Sequence, residues 1–347
     1  MSRASRARRV VTAAAYGGGG LGALSAAAIG VIYGESKLAR RRIAPAETDP
    51  PRADGLWSAP GIDDDGQPIV LAMLGDSSAA GYGVHLDADT PAARIATGLS
   101  GLARRPVRLC NVAKVGAQSS ALLGQAEQVL AHRPDLAVIM IGANDVTHRV
   151  RAAESVRHLA AALAILTEHD IEVVVGTCPD LGTIRPIAQP LRWLARRLSR
   201  TLAAAQVMAV VAAGGRAVSL GDILGPEFET RREFFSADQF HPSAIGYARA
   251  AEVLLPSAAA ALGLTTESGP VGPFTSTRAR PVTQAAARAA SRPGTEVVAT
   301  EVHGERTGRR GPWARLIRRR ATTVMPATTG GEHQPEAATM VRTDHSV

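Results

Sequence analysis

From Ile69 onward the chain alternates between two hydrophobic patterns. Short apolar runs rich in Val, Ile and Leu recur at Ile69–Leu74, Val107–Val112, Leu136–Ile141, Ile171–Val175 and Ala217–Leu220. Runs of this length, with little polar alternation, suit strands buried on both faces of a parallel sheet. Between them, Pro91–Leu102, Ser119–His132, Ala152–His169, Pro190–Ala213 and Pro242–Leu262 carry apolar residues at helical spacing. Pro91 and Pro242 fall in first turns, where the missing N–H has no helical partner to lose. The alternation predicts a three-layer α/β/α domain over residues 66–264, with a five-stranded parallel sheet. In such sheets ligands bind beyond the carboxyl ends of the strands, so the residues just after each run are the candidates for chemistry.

The ends of the chain follow neither pattern. Arg3, Arg6, Arg8 and Arg9 precede 25 uncharged residues, Val10 to Gly34, and Lys37 and Arg40 to Arg42 follow. A helix of some 20 apolar residues spans a bilayer core of roughly 30 Å. Residues 1–35 are therefore expected to be an uncleaved signal anchor. A cleaved signal peptide and a Gly/Ala-rich unfolded tail remain as alternatives, since Gly17 to Gly20 weaken a helix. Residues 36–65 read as a tether to the body. Residues 265–347, rich in Thr, Arg, Gly, Pro and Ala and without sustained periodicity, read as a disordered basic tail. Trp313 to Arg320 form a small island there that reads as a solvated basic stretch or a membrane-surface contact. An exported protein, membrane-anchored or secreted into a bacterial cell envelope, is the expectation.

Charge confines the partners. The chain of 347 residues has a formal charge of +8, but residues 1–50 and 265–347 each carry +5, which leaves the body at −2. A groove that tracks phosphates needs cations clustered on the folded surface, so nucleic acid is not an expected partner. With two cysteines, Cys110 and Cys178, neither a disulfide-stapled scaffold nor a cysteine-rich zinc module is available.

The segments after the strands carry the chemistry. Gly75-Asp76-Ser77-Ser78 follows the first run: a serine on a tight strand-to-helix turn exposes its hydroxyl beside backbone N–H groups, although an ordinary Gly/Asp/Ser turn has the same composition. Neither a phosphate-binding P-loop nor a dinucleotide fingerprint fits the glycine spacing. Gly116 follows the second run and reads alone as a turn glycine. Gly142-Ala143-Asn144-Asp145 follows the third, where an amide can donate to an oxyanion or a side chain can simply cap a helix. Before the last helix, Asp238 stands three residues ahead of His241. A carboxylate there can orient the imidazole so that its other nitrogen takes a proton from a serine. Asp-x-x-His also fits a helix cap with a solvated histidine.

Taken in order over residues 68–262, these four segments resemble the SGNH (GDSL-like) hydrolase family of esterases and lipases. The resemblance implies a flavodoxin-like fold with strand order 2-1-3-4-5 and a triad of Ser77, Asp238 and His241. It also implies an oxyanion hole from the backbone N–H groups of Ser77 and Gly116 and the side chain of Asn144, with Gly75, Asp76, Gly142 and Asp145 supporting the loops. The position after Gly-Asp-Ser is Ser78 where the family usually has Leu or Ile. In that strand order Cys110 and Cys178 are not neighbours, so both are expected as buried free thiols. No cofactor and no metal are required, and His132, His158 and His169 lack ligand spacing. The partner is then a small-molecule ester or lipid, with a short- or medium-chain acyl group. An acylated envelope glycan or a non-catalytic binding role are the alternatives, and the oligomeric state is unknown. Pro179 to Ile187 should border the cleft with apolar residues for an acyl chain, and Arg185 could meet an acidic or phosphate group.

Overall fold

The structure, a computed structural model, describes residues 49–221, 231–264, 280–292, 295–299 and 313–318, together with positions 30, 34, 35, 37 and 38. Strand β1 (Gly55–Trp57) precedes β2 (Ile69–Gly75), β3 (Val107–Asn111), β4 (Leu136–Met140), β5 (Glu172–Gly176) and β6 (Arg216–Val218). The last five run parallel in the order β3-β2-β4-β5-β6, which is 2-1-3-4-5 when counted among themselves. Each lies where an apolar run places it. Gly75 pairs with Met140, and Met140 with Gly176, so the carboxyl ends of β2, β4 and β5 form one level edge.

Helices cover both faces of this core. Helix α1 (Ser77–Ala80) is a single turn after β2, and α2 (Pro91–Ala103), α3 (Leu122–Leu130), α4 (Ala143–Thr147), α5 (Ala152–Glu168), α6 (Leu191–Ala212) and α7 (Ala244–Ala261) follow. The period of two along β2 divides its side chains between two cores. Leu71 and Met73 pack with Ile95, Leu99 and Leu254 under α2 and α7. Ala72 and Leu74 pack with Leu122, Leu163 and Val207 under α3, α5 and α6. Strands buried this way have no solvent face, which is why their sequence reads as a continuous apolar run.

Two expected boundaries are corrected. The sheet has nine strands and is mixed rather than five-stranded and parallel. Within the segment expected to be a disordered tail, β7 (Arg280–Pro281), α8 (Val282–Ala289), β8 (Thr295–Ala299) and β9 (Trp313–Arg318) extend the sheet past β6. Strand β8 runs antiparallel to β6 and β9 antiparallel to β8. Ala285, Ala286 and Ala289 of α8 close over Val297, Ala314 and Leu316, which continues the second core. These strands are short or mixed in polarity, so they lack the apolar run that betrays a central strand. The later part of the expected tether also belongs to the fold. Ala53 is buried in the first core, β1 pairs antiparallel with β3, and Asp54 accepts the Asn111 N–H at 2.7 Å. Among the described residues no helix is long and apolar enough to cross a membrane. The expected anchor, residues 1–35, lies almost wholly outside them, as do the first part of the tether and the remainder of the tail.

Candidate active site

The site is assembled at the level edge of β2, β4 and β5. At the end of β2 the chain turns sharply into α1, and Gly75 has φ +135°. A Cβ at this position would lie 1.9 Å from the Met140 carbonyl oxygen, so the close approach of β4 requires glycine. Asp76 caps α1 by accepting the Ser78 N–H at 2.9 Å. Its carboxyl is buried, and burial pushes it up to about 6 against the opposing hydrogen bonds from the Ser78 and Gly142 N–H groups. Ser77 opens the helix, so its backbone N–H is one of the first-turn donors that no helical carbonyl can accept.

His241 reaches Ser77 from a tight turn 164 positions further along the chain. Phe235 bridges Pro242, the Ser236 N–H donates to His241 O at 2.8 Å, and Gln239 has φ +55°. Inside this turn Asp238 Oδ1 accepts from Ser236 Oγ at 2.7 Å and from the Phe240 and His241 N–H groups at 2.9 Å each. Its Oδ2 lies 2.6 Å from His241 Nδ1, and His241 Nε2 lies 3.0 Å from Ser77 Oγ. Burial alone would raise the Asp238 carboxyl. The His241, Ser236 and Phe240 hydrogen bonds outweigh it and hold the carboxyl at about 2. Asp238 is thus an anion at every pH at which an imidazole works as a base. The carboxylate makes Nδ1 the protonated nitrogen and leaves the Nε2 lone pair for the serine. Tyr82 and Phe240 meet the imidazole edge-on, with centroids at 4.6 and 4.9 Å, and fix its plane.

Asn144 and Asp145 come from α4, the short helix after β4. Gly142, with φ +133°, brings the chain so close to β5 that a Cβ would meet Cys178 Cβ at 2.8 Å. Asn144 Nδ2 donates to Ala117 O at 3.0 Å, which uses one of its two hydrogens and leaves the other for the site. Asp145 is buried and accepts from Ser119 N, Ser119 Oγ and Ser155 Oγ, so it ties the loop after β3 to α5. Gly116 lies in that loop, exposed and with φ +79°, and does not line the cavity. The other expected oxyanion donors, Ser77 and Asn144, do line it.

The cavity measures about 60 Å³ and is a largely apolar slot lined in part by Ser77, Asn144 and His241. Met140, Leu181, Ile184, Leu220 and Phe240 form its walls. Pro179 also contributes, so the loop expected to border the cleft does so, but Arg185 is exposed and outside the lining. Cys110 and Cys178 are both buried and free. Burial pushes the Cys110 thiol up to about 11 and raises that of Cys178, so neither is a ready nucleophile.

Three residues of the site escaped the sequence reading. Gln125 of α3 accepts the Gly75 N–H at 2.7 Å and donates to Gly75 O at 3.0 Å, clamping the backbone beside Ser77. Gln206 of α6 accepts the Cys178 N–H at 2.7 Å and donates to Ile141 O at 3.0 Å, joining the ends of β4 and β5. Thr177, fully buried after β5, lines the cavity. A signal for both glutamines was present. Each is a polar residue on the apolar stripe of its helix, Gln125 among Leu122, Ala126 and Val129, and Gln206 among Leu202, Val207 and Val210. A long polar residue on a buried stripe needs a buried partner.

Comparison with known proteins identifies the family. The profile of the GDSL-like Lipase/Acylhydrolase family matches residues 73–249, which contain Ser77, Asn144, Asp238 and His241. A GDSL-like esterase of Mycobacterium tuberculosis is 42% identical over 236 residues, 65% of this chain and 74% of the relative. Among solved structures, a catalytic mutant of an acetylxylan esterase from Geobacillus stearothermophilus superposes with a TM-score of 0.44 at 18% identity, covering 58% of this chain and 97% of that one. A lipase/acylhydrolase from Enterococcus faecalis gives a TM-score of 0.41 at 19% identity, with 55% and 94% covered.

Proposed function

The chain belongs to the GDSL-like lipase/acylhydrolase family and is a carboxylic ester hydrolase, and on that premise we propose that it cleaves esters of short- or medium-chain acids through Ser77, His241 and Asp238. The observation that carries this reading is the continuous relay of 2.6 Å from Asp238 Oδ2 to His241 Nδ1 and 3.0 Å from His241 Nε2 to Ser77 Oγ.

In the first half-reaction His241 Nε2 takes the Ser77 hydroxyl proton as Oγ attacks the ester carbonyl carbon. The carbonyl π electrons move to oxygen, and the resulting oxyanion is met by the Ser77 N–H and the free Asn144 Nδ2–H. Asp238 stabilises the imidazolium without taking its proton. The tetrahedral intermediate then collapses: the C–O bond to the alcohol breaks and His241 returns the proton to the leaving oxygen. In the second half-reaction His241 deprotonates water, which attacks the acyl-serine, and Ser77 leaves with the proton. The small, apolar slot supports a short or medium acyl group over a long one. The basic flanks around Val10–Gly34 support an exported enzyme, anchored or secreted.

Hydrolysis of p-nitrophenyl esters from acetate to palmitate, with Ser77→Ala in parallel, tests the reading. A Ser77-dependent rate peaking at short or medium chains is expected. A rate confined to acetate would move the substrate to O-acetyl groups, and a rate that survives Ser77→Ala would remove the nucleophile from its role.

A further inference from the structure

The amino-terminal end of α6 is rich in arginine. From Leu181 to Gly221 the chain has six Arg and no Asp or Glu. Some of these arginines turn inward onto the loop that walls the cavity. Arg196 and Arg200 reach the buried Asp180 Oδ2 at 3.5 and 2.8 Å. Arg196 also donates to Gly182 O at 3.1 Å, and Arg192 donates to Ile187 O at 2.7 Å and to Arg185 O at 2.9 Å. Helix α6 therefore staples the Pro179–Ile187 loop, whose Pro179, Leu181 and Ile184 face the acyl slot. Other arginines turn outward: Arg185 and Arg197 are exposed, and the Arg197 guanidinium stands 5.7 Å from the ring centroid of Trp193. Trp193 itself is 58% exposed. The exposed guanidinium groups of Arg185 and Arg197 thus put positive charge beside an exposed indole.

A second observation points the same way. Glu35 Oε2 accepts the N–H of Leu191, the first residue of α6, at 3.0 Å. Glu35 directly follows the uncharged stretch Val10–Gly34, and Lys37 comes two residues later. The hydrogen bond thus holds the end of the membrane-segment candidate against the helix end that displays Trp193, and Leu38 beside it is 43% exposed. Indole rings settle at the headgroup level of bilayers, and arginines gain from anionic lipid phosphates within a Debye length.

We propose that this end of α6 docks on an anionic phospholipid surface through Trp193, Arg185 and Arg197, which sets the stapled cavity loop against the bilayer and presents membrane-borne esters to Ser77. The proposal extends the anchoring and esterase readings above. Docking is nonetheless read independently of both, because an anchor binds vesicles of either charge and hydrolysis depends on Ser77.

The test uses the full chain reconstituted with phosphatidylcholine vesicles or with vesicles containing phosphatidylglycerol, each with the same fraction of bromine-labelled lipid. The fluorescence quenched in the native chain but not in Trp193→Phe isolates Trp193. The expected result is Trp193 quenching in anionic vesicles only, removed by high salt and by the double variant Arg185→Gln/Arg197→Gln. Loss of two interfacial arginines should weaken this docking roughly 10- to 30-fold. It should slow hydrolysis of a vesicle-dispersed ester in step and leave hydrolysis of a soluble ester unchanged. No Trp193-specific quenching, or equal and salt-insensitive quenching in both vesicles, overturns the proposal. Equal loss of soluble-ester hydrolysis in the double variant also overturns it, since the arginines would then act on the site rather than at a surface. Absence of any Ser77-dependent hydrolysis would defeat the esterase reading while the quenching still decides the docking.

Discussion

The two ends of the one sheet are built by different rules. From β3 to β6 the strands are parallel and covered on both faces, and β4 is buried at every residue. From β8 to β7 they are antiparallel, and their described apolar side chains continue the core under α8. Ser77, Asn144 and His241 follow or face strands of the parallel part, and no described residue of the extension lines the cavity. The extension serves the edge instead. Strand β6 is three residues long and would otherwise present open N–H and C=O groups, the usual route to edge-to-edge association. Strand β8 covers it, and buried Glu296 meets Arg216 at 2.7 Å across the junction. Chemistry has collected where helix-start donors and strand ends converge, and insulation where they do not.

Substitutions should separate the two parts. The largest effect on turnover belongs to Ser77→Ala, which should lower kcat on the order of 10⁶-fold while leaving thermal unfolding close to that of the native chain. Next, Asn144→Ala should cost roughly 10² to 10³ in kcat, seen in steady-state kinetics with little change in KM. In the extension, Glu296→Ala strands a largely buried guanidinium. It should cost about 3 kcal/mol in denaturant unfolding and leave kcat/KM intact well below the melting range. A matching loss of activity would show that the two parts are not separate. Gln125→Ala spans both kinds of effect: it leaves the Gly75 N–H unpaired, at about 1–3 kcal/mol, while the Gly75 carbonyl keeps the Lys114 N–H at 3.1 Å. It should also lower kcat, because Ser77 stands two residues away.

The smallest effect is a slope with pH, and it contrasts two aspartates of the site. Asp76 is raised from 3.8 to about 6, so between those values the folded chain holds a proton that the unfolded chain has released. Its contribution to stability therefore falls as pH rises from about 4 to 6 and stays lower above that. Asp238 is lowered from 3.8 to about 2, so its contribution is present above 3.8 and is lost only as pH falls toward 2. Unfolding midpoints of Asp76→Asn between pH 4 and 7 should vary less with pH than those of the native chain. An unchanged slope would remove Asp76 as its source.

Much of the parallel part was legible in the sequence. Its strands fell on the apolar runs, its helices on the 3.6-residue stripes, and the candidate site residues on the turns that follow. Gly75 and Gly142 are legible in part for a local reason, since each turn takes a positive φ, while the close approaches of Met140 and Cys178 that also demand glycine are tertiary. The extension was not legible: Arg280–Pro281 and Thr295–Ala299 are too short and too mixed in polarity to stand out from a Thr/Arg/Gly-rich segment. Their order comes from an existing edge and core, not from their own propensity. The joint order of the four motifs made the site readable, yet each motif alone fitted an ordinary turn or cap.

The sequence by itself determined what periodicity and turn chemistry encode: which residues form the five parallel strands, which faces are apolar, and where the backbone must bend. Only the tertiary structure decided which distant polar groups meet. Ser77 and His241 are 164 positions apart, Gln125 and Gly75 50 apart, and Arg216 and Glu296 80 apart. The physical reason is that burial is scored residue by residue along the chain. A buried hydrogen bond is a pairwise matter of ångström-scale register, and that register exists only once the sheet has formed.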